Sequence, residues 1–417
     1  MLKVAKFGGS SLADASCFEQ VRSIVQSDPA RRVIVVSAPG RRHAADHKIT
    51  DLLYLCHAHL VCGVPFWSLW KKISSRFLSI RDACVPAYPL ERELEAIYAS
   101  ADEKTPQAAF VCRGEYLCAR LMAAFLGFEF VDSADWLRFD AAGNVLTEES
   151  YALLRAAAEN RRIVTPGFYG TRSDGALLTF SRGGSDVTGS LAAAALGADV
   201  YENWTDVPGV LQADPRIVRD PPCIAALSFR ELQLLSQIGM QVLHESAVEP
   251  VRSAHIPLNI RSSFLPAHPG TLVTGEAPSD GAPVFASRGG LSLLVQSGVR
   301  HGAPEAPFPQ TPELRVVQYA HTPDSRSWLV SGESAALHAA VRALRAEQPE
   351  MPLSLTEDLT LLAAVRCTQQ SASAVCAAVL REGAPIRQLL FCQNCLYLLV
   401  DSRLFVPALR SAAEAVL

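Results

Sequence analysis

Residues 181–189, SRGGSDVTG, bring an arginine, two glycines, a serine and an acid into one short stretch. Arg182 offers a planar guanidinium that grips a carboxylate through two parallel hydrogen bonds. Gly183 and Gly184 let the backbone approach a ligand closely. Ser185 or Asp186 then opens a helix, whose N-terminal amides favour an anion. Read alone, the stretch serves equally well as a capped turn between a strand and a helix. A second glycine pair follows Lys6 in KFGGSS (6–11). Its spacing matches neither the phosphate-loop nor the dinucleotide fingerprint. Thr205 and Asp206, in WTDVPG (204–209), fall at an expected strand end, where α/β folds gather their ligands. Asp214 and Arg216 follow in ADPRIV (213–218), which also suits an ordinary Asp-Pro turn.

Other reactive side chains read as structural. Cys392 and Cys395 form a CxxC, but no second pair or matched histidines follow, so two strand residues in a core are expected. His43, Asp46 and His47 lie at helical spacing, with His57 and His59 further on. They follow PGRR in a loop-like region and read as solvated residues rather than metal ligands. His244 lies in an apolar run and reads as a core histidine.

These residues need elements to position them. LKVAKF (2–7) and RRVIVVSAPG (31–40) are short β-branched runs that end in turn signals. Between them Phe18, Val21, Ile24 and Val25 share one helical face. That is a strand–helix–strand unit with parallel strands and a right-handed crossover. Residues 50–105 are helical in pattern, 115–127 form a helix closed by Gly127, and 128–133 and 161–170 return to strands. An alanine-rich helix over 185–196 stops at Gly197, and another strand follows. The alternation predicts an α/β fold with a mainly parallel sheet. GEAPSDGAPV (275–284) reads as a linker. Beyond it, strands and helices run to the end, with residues 359–417 in a βαββα order.

Composition bounds the function. The chain has 417 residues, 49% of them hydrophobic and 19% charged, which suits a multidomain globular protein. A net charge of −4, with acids and bases interspersed, and 7% aromatic residues give no nucleic-acid footprint. No apolar run reaches the length that spans a bilayer, and Lys3 and Lys6 interrupt any signal-peptide core, so a cytoplasmic location is expected. Eleven scattered cysteines read as free thiols.

Taken together, KFGGSS, VVSAPG (35–40), ITDLL (49–53), RGEYL (113–117), PGFYG (166–170), RGGSD (182–186), WTDVPG, ADPRIV and VLHESAVEPVR (242–252) resemble the aspartate kinases of the amino-acid kinase superfamily, in that family's order. The resemblance covers residues 1–275. It implies an α/β/α sandwich that binds ATP and aspartate in adjoining clefts and passes the γ-phosphoryl group to the aspartate β-carboxylate. It implies further that Lys6 stabilises the transferring group, that amides of Gly8, Gly9 and Ser10 line its path, and that Asp186 orients Lys6. Arg182, with Gly183, Gly184 and Ser185, would receive the substrate α-carboxylate, and Glu115 its ammonium, with Ser37 and Thr50 nearby. Thr205, Asp206, Asp214 and Arg216 would hold the nucleotide, with Mg²⁺ bridging its phosphates and bound by no side chain. Phosphoryl transfer needs positioning and charge neutralisation more than covalent help, and a carboxylate acceptor needs no general base.

The sequence departs from the family at three places. Gln241 stands where many members carry a phosphate-facing lysine, which leaves more of the charge to Lys6. Leu211 replaces a tyrosine, so adenine contacts are expected to be backbone-dominated. The family carries two ACT domains that dimerise and bind an end-product amino acid. Here a first ACT-like unit (283–358) looks shortened: Pro304, Pro307 and Pro309 occupy the place of its helix. A second unit (359–417) is recognisable, with the family's βαββαβ order in mind. Weak or absent lysine feedback and a homodimer through the ACT region are the resulting expectations. Two other readings keep the fold: a kinase for a different small amino acid, or a regulatory paralogue with weakened catalysis.

Overall fold

The computed structural model describes residues 1–181, 183–240, 243, 245–276, 281–298, 308 and 311–417. It divides into two compact units, Met1–Val210 with Cys223–Ser236 and Gln241–Pro278, and Leu211–Pro222 with Gln237–Met240 and Ser279–Leu417. The second unit therefore takes two short segments out of the 1–275 stretch. One of them carries Leu211, Asp214 and Arg216.

The first unit is built on an eight-stranded sheet. Its order is Glu129–Phe130, Ile163–Pro166, Arg31–Val36, Lys3–Phe7, Val200–Thr205, Leu258–Ser262, Thr271–Thr274 and Ala226–Ser228. Every neighbouring pair is parallel except Leu258–Ser262 with Thr271–Thr274. Helices cover both faces, as a parallel sheet requires. On one face Ala15–Gln26, Ile49–Val61, Trp67–Cys84 and Arg113–Leu126 close over Phe7, Val36 and Trp204. The expected apolar stripe of Ala15–Gln26 is buried, and Asp14 caps the helix by accepting from the Cys17 amide at 3.0 Å. The other face carries Gly184–Leu196, flanked by Thr147–Ala158 and Glu245–Ser253.

One boundary differs from expectation. The helix after RGG begins at Gly184, not at Ser185 or Asp186, and no side chain caps it. Gly183 stands in the left-handed region, φ 58°, and serves as the cap. Ser185 is thereby drawn inside the helix and buried.

The second unit carries a six-stranded antiparallel sheet, in the order Leu314–Thr322, Ser325–Gly332, Val284–Ser297, Leu353–Val365, Cys395–Asp401 and Gln388–Cys392. Its central strand serves two cores. Val284–Arg288 pairs with Leu361–Val365, and Phe285 enters the core under Gln369–Arg381 and Ser402–Glu414. Past a register shift at Arg288–Leu291, Leu294 enters the core under Ser334–Glu347. The βαββα order read over 359–417 thus gains its remaining strand from residues 284–288, directly after the linker. The proline-rich stretch lies almost wholly outside the described residues. Cys392 and Cys395 face each other across a hairpin whose turn residues, Gln393 and Asn394, both have positive φ (49° and 59°). The two cysteines form no disulfide with each other; Cys395 is buried but Cys392 is exposed, not a core residue.

Candidate active site

The site gathers at the carboxyl ends of the parallel strands, where each chain leaves the sheet tied to its neighbour. The Ser37 amide donates to Phe7 O at 3.2 Å, Gly167 to Val36 O at 2.9 Å, and Ser263 to Thr205 O at 2.9 Å. The Gly8 amide donates to Trp204 O at 3.0 Å, so it is already committed and does not line a phosphate path. Gly9 and Ser10 begin a short 3₁₀ turn, Gly9–Leu12. Among the described residues their amides carry no backbone bond. A Cβ on Gly9 would stand 2.8 Å from Ala38 O, which is why this loop and SAPG can lie against each other only with glycine there.

Lys6 is 6% exposed, an expensive place for an ammonium unless it is paired. Its Nζ lies 2.5 Å from Asp186 Oδ1. Asp186 sits in the first turn of Gly184–Leu196, where the helix dipole also favours a negative charge. The pairing expected from the sequence is therefore present.

Glu115 is the second buried charge-bearing group. It lies in the first turn of Arg113–Leu126, 5% exposed, and its Oε2 has no partner among the described residues. Burial pushes its carboxyl up to about 8, against a bond from the Ala38 backbone that favours the anion. A Cβ on the preceding Gly114 would stand 2.8 Å from Ala38 Cβ and 3.1 Å from Leu53 Cδ1. That contact joins the SAPG loop, the Arg113–Leu126 helix and the helix Ile49–Val61, which begins beside Thr50 with the Ile49 amide on Pro39 O at 3.1 Å. Ser37 and Thr50 are half-buried around this junction. Ala38 thus touches both the Gly9 loop and Glu115, and brings the two halves of the expected site together.

Thr205 and the exposed Asp206 follow each other at the strand end, with Thr205 Oγ1 3.2 Å from Asp206 Oδ1. In the second unit, Asp214 is gripped by Arg216 through Nε at 3.0 Å and a terminal nitrogen at 2.6 Å, and Arg216 is largely exposed. Leu211 is half-buried in that same unit. Arg182, Gln241 and His244 lie outside the described residues.

Asp46, expected to be solvated, is instead half-buried and paired with two arginines. It accepts from Arg42 Nε at 2.9 Å and from Arg76, and these contacts hold its carboxyl well below the usual range. His43 and His47 are exposed, but His57 is buried, with Nε2 3.0 Å from Thr105 O.

The sequence reading missed three supports. Arg76, 5% exposed, donates to Gly40 O at 3.0 Å and to Ala13 O at 3.2 Å, and so clamps the two glycine loops. Asn203 and Tyr201 bond to Asp186. Phe168 holds a left-handed φ of 82°, with its amide on Thr188 Oγ1 at 3.1 Å, and braces the start of Gly184–Leu196. Two signals were readable: polar residues inside an apolar strand, and an arginine on the buried side of a helix.

With this geometry in view, comparison with known proteins gives a consistent result. The model of the amino acid kinase family matches residues 1–262. Aspartokinase 3 of Bacillus subtilis is 36% identical over 298 residues, covering 68% of this chain and 66% of that protein. The lysine-sensitive aspartokinase 3 of Escherichia coli is 30% identical over 306 residues, with the same two shares. The chain spans just under two thirds of these two relatives, and 38% of the bifunctional aspartokinase/homoserine dehydrogenase of Haemophilus influenzae. Among solved structures, the aspartate kinase of Clostridium acetobutylicum superposes with a TM-score of 0.90 at 33% identity, over 99% of this chain and 100% of that one. Aspartokinase III of E. coli, solved with aspartate and ADP, shares the fold at a TM-score of 0.73 and 24% identity. The chain therefore belongs to the amino acid kinase family, and within it to the aspartate kinases.

Proposed function

We propose that this chain transfers the γ-phosphoryl group of ATP to the β-carboxylate of L-aspartate, forming 4-phospho-L-aspartate at the head of lysine, threonine and methionine synthesis. The observation that carries this reading is the pair of buried groups joined through Ala38. Lys6 is a cation that an oriented carboxylate holds in place. Glu115 is a buried acid with one oxygen left for a ligand. The first suits a transferring phosphoryl group, and the second suits a substrate ammonium.

The chemistry follows from what these residues offer. The attacking carboxylate is already ionised near neutral pH, so no side chain has to take its proton. Lys6 neutralises charge on the phosphoryl oxygens as transfer proceeds, while the amides of Gly9 and Ser10 donate along the same path. Asp186 keeps the Lys6 ammonium from folding away. Glu115 receives the α-ammonium, and on doing so gives up the proton that burial makes it hold. Arg182 takes the α-carboxylate, with Gly183, Gly184 and Ser185 forming the turn beneath it, and Ser37 and Thr50 contact the acceptor. Thr205 and Asp206 face the nucleotide, to which we also assign Leu211, Asp214, Arg216 and Gln241. Among the described residues no three His, Cys, Asp or Glu form a metal-holding group. Mg²⁺, to which we assign no side chain, would enter with the nucleotide and supply charge neutralisation at its phosphates. Among the described residues no helix is long and apolar enough to cross a membrane, and we place the enzyme in the cytoplasm as a homodimer.

Trapping the acyl phosphate with hydroxylamine tests the reading. With ATP and Mg²⁺, aspartate should yield hydroxamate with kcat/KM at least about 10²-fold above glutamate and other small amino acids. Product from a different acid alone would move the assignment to that acceptor. Nucleotide binding without any product would mark a regulatory paralogue.

A further inference from the structure

A strand at the centre of a parallel sheet is covered on both faces and normally reads as an apolar run. Val200–Thr205 instead reads VYENWT, and Tyr201, Glu202 and Asn203 are all at most 2% exposed. Glu202 is explained by its ion pair with Arg31 on one face. Tyr201 and Asn203 point to the opposite face, and a buried amide there has to be answered by a partner.

The partner is Asp186. Asn203 Nδ2 donates to Asp186 Oδ1 at 2.7 Å, the same oxygen that lies 2.5 Å from Lys6 Nζ. Register places Lys6 directly beside Asn203 on the neighbouring strand, so the two donors approach that oxygen side by side. Tyr201 Oη donates to the Asp186 carbonyl at 3.0 Å and stands where a Cβ on Gly189 would come within 2.5 Å of it. The phenol is thus wedged under the start of the helix, and the Asp186 backbone is fixed as well as its carboxylate.

We propose that Asn203 is a positioning residue for phosphoryl transfer: it locks the rotation of the Asp186 carboxylate that holds the Lys6 ammonium at the transferring group. The role rests on the aspartate kinase reading. The terminal torsion of an aspartate is broad, and a lysine ammonium on its flexible stem follows whatever anion it pairs with. One donor on Oδ1 leaves the pair free to swivel; two donors from adjacent strands do not. The amide is also neutral, so it steadies Asp186 without competing with Lys6 for the anion. A misplacement of about 1 Å at a reacting group costs about 10²-fold in rate.

The test compares Asn203→Leu and Asn203→Asp with the wild-type chain in the hydroxamate assay, with thermal unfolding as the check on folding. Asn203→Leu keeps the volume and removes the donor. Its kcat should fall about 10²-fold while KM for ATP and aspartate stays within about threefold. In Asn203→Asp two carboxylates meet, and such a pair holds one proton between them as pH falls. The shared proton restores a donor to Asp186, so this variant should be slow at pH 8 and recover most of its loss toward pH 6. Among the described residues, the titratable groups facing position 203 are Lys6, Asp186 and Tyr201; the other neighbouring strand presents Ile260 at that level. A folded Asn203→Leu within about twofold of wild-type kcat overturns the role, as does an Asn203→Asp loss equal at both pH values. A wild-type chain that makes no hydroxamate overturns the kinase reading and this role with it.

Discussion

The three central strands of the first unit carry a buried ion cluster on each face, and the two are built differently. On one face Glu202 spends both oxygens. Oε2 accepts from Arg31 Nε at 2.7 Å and Trp204 Nε1 at 2.9 Å, and Oε1 lies 3.2 Å from a second Arg31 nitrogen and 3.3 Å from Lys3 Nζ. Burial works against this charge, yet Arg31 and its neighbours hold the carboxyl below its usual range. On the other face Lys6 and Asn203 share one oxygen of Asp186, and at the strand ends Glu115, on the helix Arg113–Leu126, keeps an oxygen unpartnered. The saturated cluster holds strands and helix together, whereas the unsaturated one has room for a ligand. Burial alone does not tell a working charge from a structural one; unfilled bonding capacity does.

Substitutions can break this contrast, and the largest effect is expected on the working face. Lys6→Ala should lower kcat by about 10³-fold, because an electrostatic donor to the transition state is lost, while thermal unfolding shifts little. An unchanged rate would remove Lys6 from the chemistry. On the saturated face, Glu202→Gln leaves the Arg31 guanidinium buried without its anion. Denaturant unfolding should then show a loss of about 3–5 kcal/mol, with kcat of the folded fraction nearly unchanged. A variant that is fully stable but slow would reverse the assignment of the two faces.

Proton linkage sharpens the contrast further. Glu115 has an ordinary value of 4.5 and is pushed up to about 8 in the fold. Between those values the empty folded protein keeps a proton that the unfolded chain has lost, so this group's contribution to stability falls as pH rises from 4.5 to 8. A substrate ammonium favours the anion, so aspartate binding at pH 7 should release about one proton per site, and almost none in Glu115→Gln. Calorimetry in buffers of different ionisation enthalpy reads this directly; a wild-type site that releases no proton would leave Glu115 without its assigned contact. The smallest effect is expected outside the first unit: with Pro304, Pro307 and Pro309 where a helix is expected, sub-millimolar lysine should change the rate by less than about twofold. Inhibition at that concentration would show an intact effector response.

Much of this arrangement was legible in the chain. The β-branched runs, the apolar face of the helix Ala15–Gln26 and the glycine loops follow from pattern and motif, and the Lys6–Asp186 pair from the family resemblance. What escaped depends on which face a side chain takes and on what lies across the sheet. Asn203 and Tyr201 matter only once register sets them beside Lys6. Arg76 stands on the buried side of its helix, but that it reaches Gly40 and Ala13 is set only by the fold. Gly183 displaced Ser185 as the cap because close packing at that turn outweighs the usual preference for a serine or aspartate. The 359–417 region takes residues 284–288 as a strand, and the second unit takes in the 211–222 segment from outside its continuous stretch, exchanges that local pattern does not record.

The central claim is that aspartate's own β-carboxylate attacks the γ-phosphoryl group. Aspartate labelled with ¹⁸O in that carboxylate, incubated with ATP, Mg²⁺ and hydroxylamine, tests it most directly. The attacking oxygen becomes the bridge of the acyl phosphate and leaves with phosphorus when hydroxylamine takes the acyl carbon. The account predicts one ¹⁸O in the released phosphate for each hydroxamate formed. Phosphate carrying no label would mean that water, not aspartate, receives the phosphoryl group.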